Sequence, residues 1–63
     1  MELFKELIET SETEKRGLTI FFKGQTIAGI VTKVIGDEAI EVRNQTYSRI
    51  IIRFDAIEAM AIN

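Results

Sequence analysis

The chain has 63 residues, 46% of them hydrophobic, ten acidic against eight basic, with neither Cys nor His. Its length allows one domain, and a chain this short buries only roughly 60% of the surface its unfolded form exposes, so its own core is expected to be marginal. Disulfides, the common zinc sets and Cys- or Ser/His-based nucleophilic catalysis are excluded, which leaves association with other subunits as the route to added stability.

A net charge of −2 argues against a generic polyanion binder. Residues 1–16 hold five acids and three bases, whereas residues 17–63 hold five of each. Any basic patch would have to come from several copies of the same Arg or Lys. Glu2, Lys5 and Glu6 interrupt Met1–Ile8 where a secretory segment would need an apolar run. No apolar run has the length of a bilayer span. These features predict a soluble, cytoplasmic protein with no membrane partner. Asp37 and Glu38 are adjacent carboxylates of the kind used in acid–base chemistry, but in a turn they read as solvated. Neither enzymatic activity nor a cofactor is expected.

Met1 to about Thr10 is expected to form a short amphipathic helix. Leu3, Phe4, Leu7 and Ile8 recur at helical spacing and read as a lid on one end of the following domain. Ser11 to Glu14 fits a capping box that would restart a turn, and a frayed extension fits equally. Lys15-Arg16-Gly17 reads as a helix end, with cations near the last carbonyls and a Gly free to take positive φ.

Leu18–Lys23 alternates as a strand, with Leu18, Ile20 and Phe22 on one face. Gly24-Gln25 is expected to turn the chain into a longer, β-branched strand from Thr26 to Ile35. Gly29 lies inside that strand, where Gly marks a bend or a close backbone approach; it reads as a hinge. Gly36-Asp37 is a turn, and Glu38–Arg43 a third strand with Ile40 and Val42 inward. Asn44-Gln45 is expected to be a tight turn before a fourth strand from Thr46 to Phe54. A sharp corner at Phe54–Ala56 then leads to a fifth strand from Ile57 to Ile62. In the fourth strand Ile50, Ile52 and Phe54 share one face and Arg49, Ile51 and Arg53 the other. The predicted whole is a mainly β single domain over residues 1–63. A helix and its connection occupy 1–16; a strongly bent, five-stranded antiparallel small barrel of SH3-like type occupies 17–63.

This order resembles the Sm-like family (Sm, Lsm and Hfq proteins). Gly24-Gln-Thr-Ile-Ala-Gly29 is similar to the first half of the family signature, and Ile40 and Val42 match its apolar pair in the third strand. Ile52-Arg53-x-Asp55-x-Ile57-x-x-Met60 is similar to the second half. Two departures stand out. Phe54 occupies the place of the family's Gly after the Arg. Val34, Ile35, Asp37 and Ala39 stand where the base-contacting side chains usually lie.

The resemblance implies a ring of about five to seven subunits, in which the fourth strand of one copy pairs with the fifth of the next. Ile50, Ile51, Ile52, Ile57, Met60 and Ile62 would then form the subunit interface. It also implies single-stranded RNA at the pore, in an RNA-chaperone or scaffold role, contacted by the turns Gly36-Asp37-Glu38 and Arg53-Phe54-Asp55; Lys33, close to the second-strand turn, is the further residue placed to assist an anion. The alternative is a homo-oligomeric structural or protein-interaction module without RNA. For Arg53 two readings stand: a phosphate or base contact, or an ion pair with Asp55 or Glu58 that holds the corner. Phe54 is either a stacking platform or, by its parity with Ile50 and Ile52, part of the core.

Overall fold

The computed structural model describes residues 2–63, in the order α1 (Glu2–Glu14), β1 (Leu18–Phe22), β2 (Gln25–Ile35), β3 (Ala39–Arg43), β4 (Ile50–Arg53), a 3-10 turn (Phe54–Ala56) and β5 (Ala59–Ile62). The helix runs four residues beyond the expected end at Thr10, and the expected start at Met1 lies outside the described residues. Ser11 restarts nothing. It lies within the continuous helix and is fully buried. Its hydroxyl donates to the Arg16 carbonyl at 2.7 Å and accepts from the Val31 N–H at 3.1 Å, so it pins α1 to the sheet.

The helix stops one residue pair earlier than the Gly suggested. Lys15, not Gly17, takes the left-handed conformation (φ 58°), and the Arg16 N–H returns to the Ser11 carbonyl at 3.2 Å. That six-to-one bond closes a Schellman cap, which satisfies carbonyls the helix would otherwise strand. The expected apolar stripe is also narrower. Ile8 is buried and Phe4 and Leu7 pack against the core, but Leu3 is 81% exposed. At 100° per residue Leu3 lies roughly 140° around the helix from Ile8, off the face that meets the sheet.

All strand pairs are antiparallel, in the sheet order β4-β3-β2-β1-β5. The first hairpin turns on Lys23-Gly24 rather than Gly24-Gln25. Both residues have positive φ (50° and 73°), and Phe22 faces Gln25 in the ladder. This is the two-residue turn whose twist matches that of the flanking strands. Strand β2 is shared: residues 25–29 pair with β1 and residues 30–35 with β3. Gly29 sits at the changeover. A Cβ there would approach the Arg43 carbonyl oxygen to 2.6 Å and collide with the Val42 side chain. Close backbone approach, rather than torsional freedom, therefore requires this Gly. Two residues later the β2–β3 register shifts between Val31 and Lys33, so that Val31 and Val34 both end up opposite core residues, Val42 and Ile40.

The fourth strand is shorter than its alternation suggested. It begins at Ile50, not Thr46, because Asn44 captures the intervening backbone. Its Oδ1 accepts from the N–H groups of Thr46 (2.9 Å) and Tyr47 (2.8 Å), while its Nδ2 donates to the Ala28 carbonyl at 2.9 Å. An Asx turn of this kind competes directly with the ladder. The fifth strand likewise starts at Ala59 rather than Ile57, although the Glu58 N–H already bonds to the Phe21 carbonyl at 2.8 Å.

The core is built from Ile8, Leu18, Ile20, Val31, Ile40, Val42, Ile52, Phe54 and Ile57, with α1 laid across β1, β2 and β5. Among the described residues the sheet does not close by hydrogen bonds. The three-residue turn at Phe54–Ala56 carries the chain from β4 at one edge to β5 at the other, and each edge strand has only one partner.

Candidate functional site

The turn after β2 and the corner after β4 meet in space, although two strands and the loop between them separate them in sequence. The Ile35 carbonyl accepts from the Glu38 N–H at 3.1 Å, with Gly36 at φ 51°, which closes a three-residue loop, Gly36-Asp37-Glu38. The Phe54 N–H donates to the Glu38 carbonyl at 2.8 Å and ties the corner to that loop. Between them lies a groove of about 580 Å³ lined by Ile35, Asp37, Glu38, Ala39, Ile51, Arg53, Phe54 and Asp55. Asp37, Arg53, Phe54 and Asp55, all expected at a pore, are therefore brought together. Gly36 lines a neighbouring groove on the α1 side instead. Lys33 lines neither: it stands exposed opposite Glu41 in the β2–β3 ladder.

The chemistry of this groove is acidic. It presents three carboxylates, Asp37, Glu38 and Asp55, and one guanidinium. Arg53 Nη2 meets Asp55 Oδ2 at 3.1 Å, so the Arg53 charge is already answered within the corner. Both side chains are largely exposed, and an ion pair in water contributes about 0–1 kcal/mol. Glu58, the other acid considered for Arg53, instead accepts from the Lys23 backbone N–H at 3.1 Å. Phe54 is only 6% exposed and belongs to the core cluster, so its ring face is committed to Ile-rich packing.

The two edges form the other candidate surface. On β4, Ile51 is 46% exposed, while Ile52 is buried and Ile50 half-buried. On β5, Met60 and Ile62 are half-buried between exposed Ala59 and Ala61. Ile52 and Ile57, expected at a subunit interface, place their side chains in the chain's own core, and the Ile57 N–H is already bonded to the Phe54 carbonyl at 3.2 Å.

Three features were not legible as such in the residue pattern. One is the Ser11 tie. Another is Glu41, whose Oε1 takes a 2.6 Å ion pair from Arg49 Nε and whose Oε2 accepts from the Thr32 hydroxyl at 2.9 Å. The hydrogen bond from Arg49, reinforced by that from Thr32, holds the Glu41 carboxyl below its ordinary value of 4.5. The third is the placement of Glu9 and Glu12 beside the β2–β3 turn; i, i+3 spacing puts them on one helix face, but only the packing says what that face meets. Among the described residues no group of three potential ligands is placed to hold a metal ion. No described helix is long and apolar enough to cross a membrane.

Comparison with protein-family models, with curated proteins and with solved structures finds no significant match to this chain.

Proposed function

We propose that this chain is a self-associating β module, built on an Sm-like plan, whose copies join β4 of one to β5 of the next and close into a ring. The observation that carries this reading is the pair of unpartnered edges. Strands β4 and β5 lie at opposite ends of the sheet, each with one side of its backbone unpaired, in a stretch rich in Ile and free of Pro. Such an edge is an aggregation hazard unless it is paired, and a head-to-tail contact that closes gives a cyclic oligomer. Pairing in this sense would align the half-buried Ile50 with Met60 and Ile62, extending each core into the next. The large side chain of Ile51 would lie beside the small Ala59 and Ala61. The role follows from the assembly: a scaffold or protein-interaction ring.

A second reading, that the ring contacts single-stranded RNA at its pore, is favoured by the convergence of the β2–β3 turn with the Arg53 corner in one groove. Three carboxylates around Arg53 weigh against it, since phosphate must approach through their field.

Light scattering with native mass spectrometry tests the assembly. The expected result is one defined oligomer at micromolar concentration, reduced to folded smaller species by Ile51→Lys or Ala61→Lys. A compact, folded, monomeric wild type overturns the reading. Titration of labelled oligo-U and oligo-A at two salt concentrations, with Arg53→Ala, separates the two roles. Salt-sensitive binding lost in Arg53→Ala supports RNA, and no binding supports the interaction module.

A further inference from the structure

Beside the core of this protein one large apolar side chain is left uncovered. Val34 stands opposite Ile40 in the β2–β3 ladder, and the register shift after Val31 puts it on the same face as the fully buried Val31. Yet Val34 is 41% exposed. It forms one wall of a groove of about 370 Å³ between α1 and the β2–β3 turn, floored by Ile8 and Phe54 and rimmed by Lys5, Glu9, Glu12, Gly36 and Asp37. An apolar residue on the core face without a cover is a place for a foreign side chain.

The rim says what kind. Glu9, Glu12 and Asp37 take part in none of the three ion pairs among the described residues. Glu9 and Glu12 lie one helical turn apart, close enough to repel each other, and the turn brings Asp37 to the same opening. Together with the adjoining groove, which shares Asp37 and Phe54, this side of the molecule collects five carboxylates against Lys5 and Arg53. A polyanion is repelled by such a surface, and an acidic or neutral peptide gains nothing from it. A cationic segment with an apolar residue satisfies both the rim and the wall.

We propose that the α1–β2/β3-turn groove is a docking surface for a Lys/Arg-rich, amphipathic peptide segment of a protein partner, seating one apolar side chain against Val34 and its cations on Glu9, Glu12 and Asp37. The proposal does not rest on ring closure, because no residue lining this groove belongs to β4 or β5.

Fluorescence anisotropy of the full chain with a fluorescein-labelled peptide of alternating Lys/Arg pairs and Leu tests it, beside a control peptide with Glu at every cationic position and a labelled oligo-U. The expected result is saturable binding of the cationic peptide alone, weakened on going from about 50 to about 300 mM salt. Glu9→Gln/Glu12→Gln should weaken it about fivefold, as the loss of two partly screened charge pairs implies. Val34→Ser should weaken it further, whereas Glu6→Gln, on the exposed helix surface outside the groove, should not. No binding up to about 1 mM peptide, equal binding of the acidic peptide, equal weakening by Glu6→Gln, or preferential binding of oligo-U each overturns the proposal. Light scattering on the same samples reads assembly separately, so a failed ring and a failed groove give different results.

Discussion

Removing one oxygen atom, in Ser11→Ala, should destabilise the whole domain. The Ser11 hydroxyl is fully buried and serves two backbone groups at once: it accepts from Val31 N–H at 3.1 Å and donates to the Arg16 carbonyl at 2.7 Å. Val31 lies where β2 passes from β1 to β3, beside the register shift, and Ser11 takes up its N–H there. Alanine cannot replace that partner, and the site is closed to water. Leaving one buried donor unsatisfied costs about 1–3 kcal/mol. In a domain of this size each kcal/mol moves Tm by about 4–8 °C, so a loss near 2 kcal/mol predicts a fall of roughly 8–16 °C. Thr10→Ala is the matched control. Its hydroxyl also bonds to a backbone carbonyl, that of Glu6 at 2.9 Å, but on the exposed helix surface, and its loss should stay within about 0.5 kcal/mol. Thermal and urea denaturation followed by circular dichroism, at one fixed protein concentration because assembly itself shifts Tm, measures both. A Ser11→Ala protein as stable as Thr10→Ala would refute the claim that this hydroxyl joins helix to sheet.

Further outcomes follow from single contacts. Gly29→Ala should cost about 2 kcal/mol or more in urea melts, since its methyl group must displace the Arg43 carbonyl and the Val42 side chain; an unchanged midpoint contradicts the close approach. Lys15→Gly should raise stability by about 0.5–1 kcal/mol, because Lys15 holds a φ of 58° that Gly adopts without strain; a loss of helicity on far-UV dichroism would contradict this cap. Glu41 titrates lower in the folded chain than in the unfolded one. Its contribution is thus complete above its ordinary value of 4.5 and is lost as pH falls through the lowered folded value. Glu41→Gln or Arg49→Ala should flatten the acid limb of the stability–pH curve below about pH 4.5 and leave its slope near neutrality unchanged. Superimposable acid limbs would mean the Arg49 contact does not persist in solution.

The apolar alternation of the chain announced most of its strands, because in a half-buried sheet the period of two is imposed by burial itself. Ile40 and Val42 inward, Ile52 and Phe54 together on one face and the sharp corner at Phe54–Ala56 were all readable in this way, and they are found so. Element ends were less readable. Asn44 shortens β4 through side-chain bonds to Thr46 and Tyr47, and Lys15 and Lys23 take positive φ where neighbouring glycines were the natural candidates. Such local choices are decided by which hydrogen bonds the surroundings leave unmet, and propensity does not record that.

For the candidate site the division is sharper. Sequence order was enough to nominate the β2–β3 turn and the Arg53 corner, but not to say that Phe54 N–H would bind the Glu38 carbonyl and draw three carboxylates around one paired guanidinium. Length, composition and strand periodicity alone determined a small β domain with two greasy terminal strands. The tertiary structure alone decided that those strands lie at opposite edges, that Ser11 is a structural tie, and that Val34 is left uncovered beneath Glu9 and Glu12. The reason is physical. Periodicity reports which face of one element is apolar, whereas charge clustering and unfilled space depend on which elements are packed together, over separations that no local pattern spans.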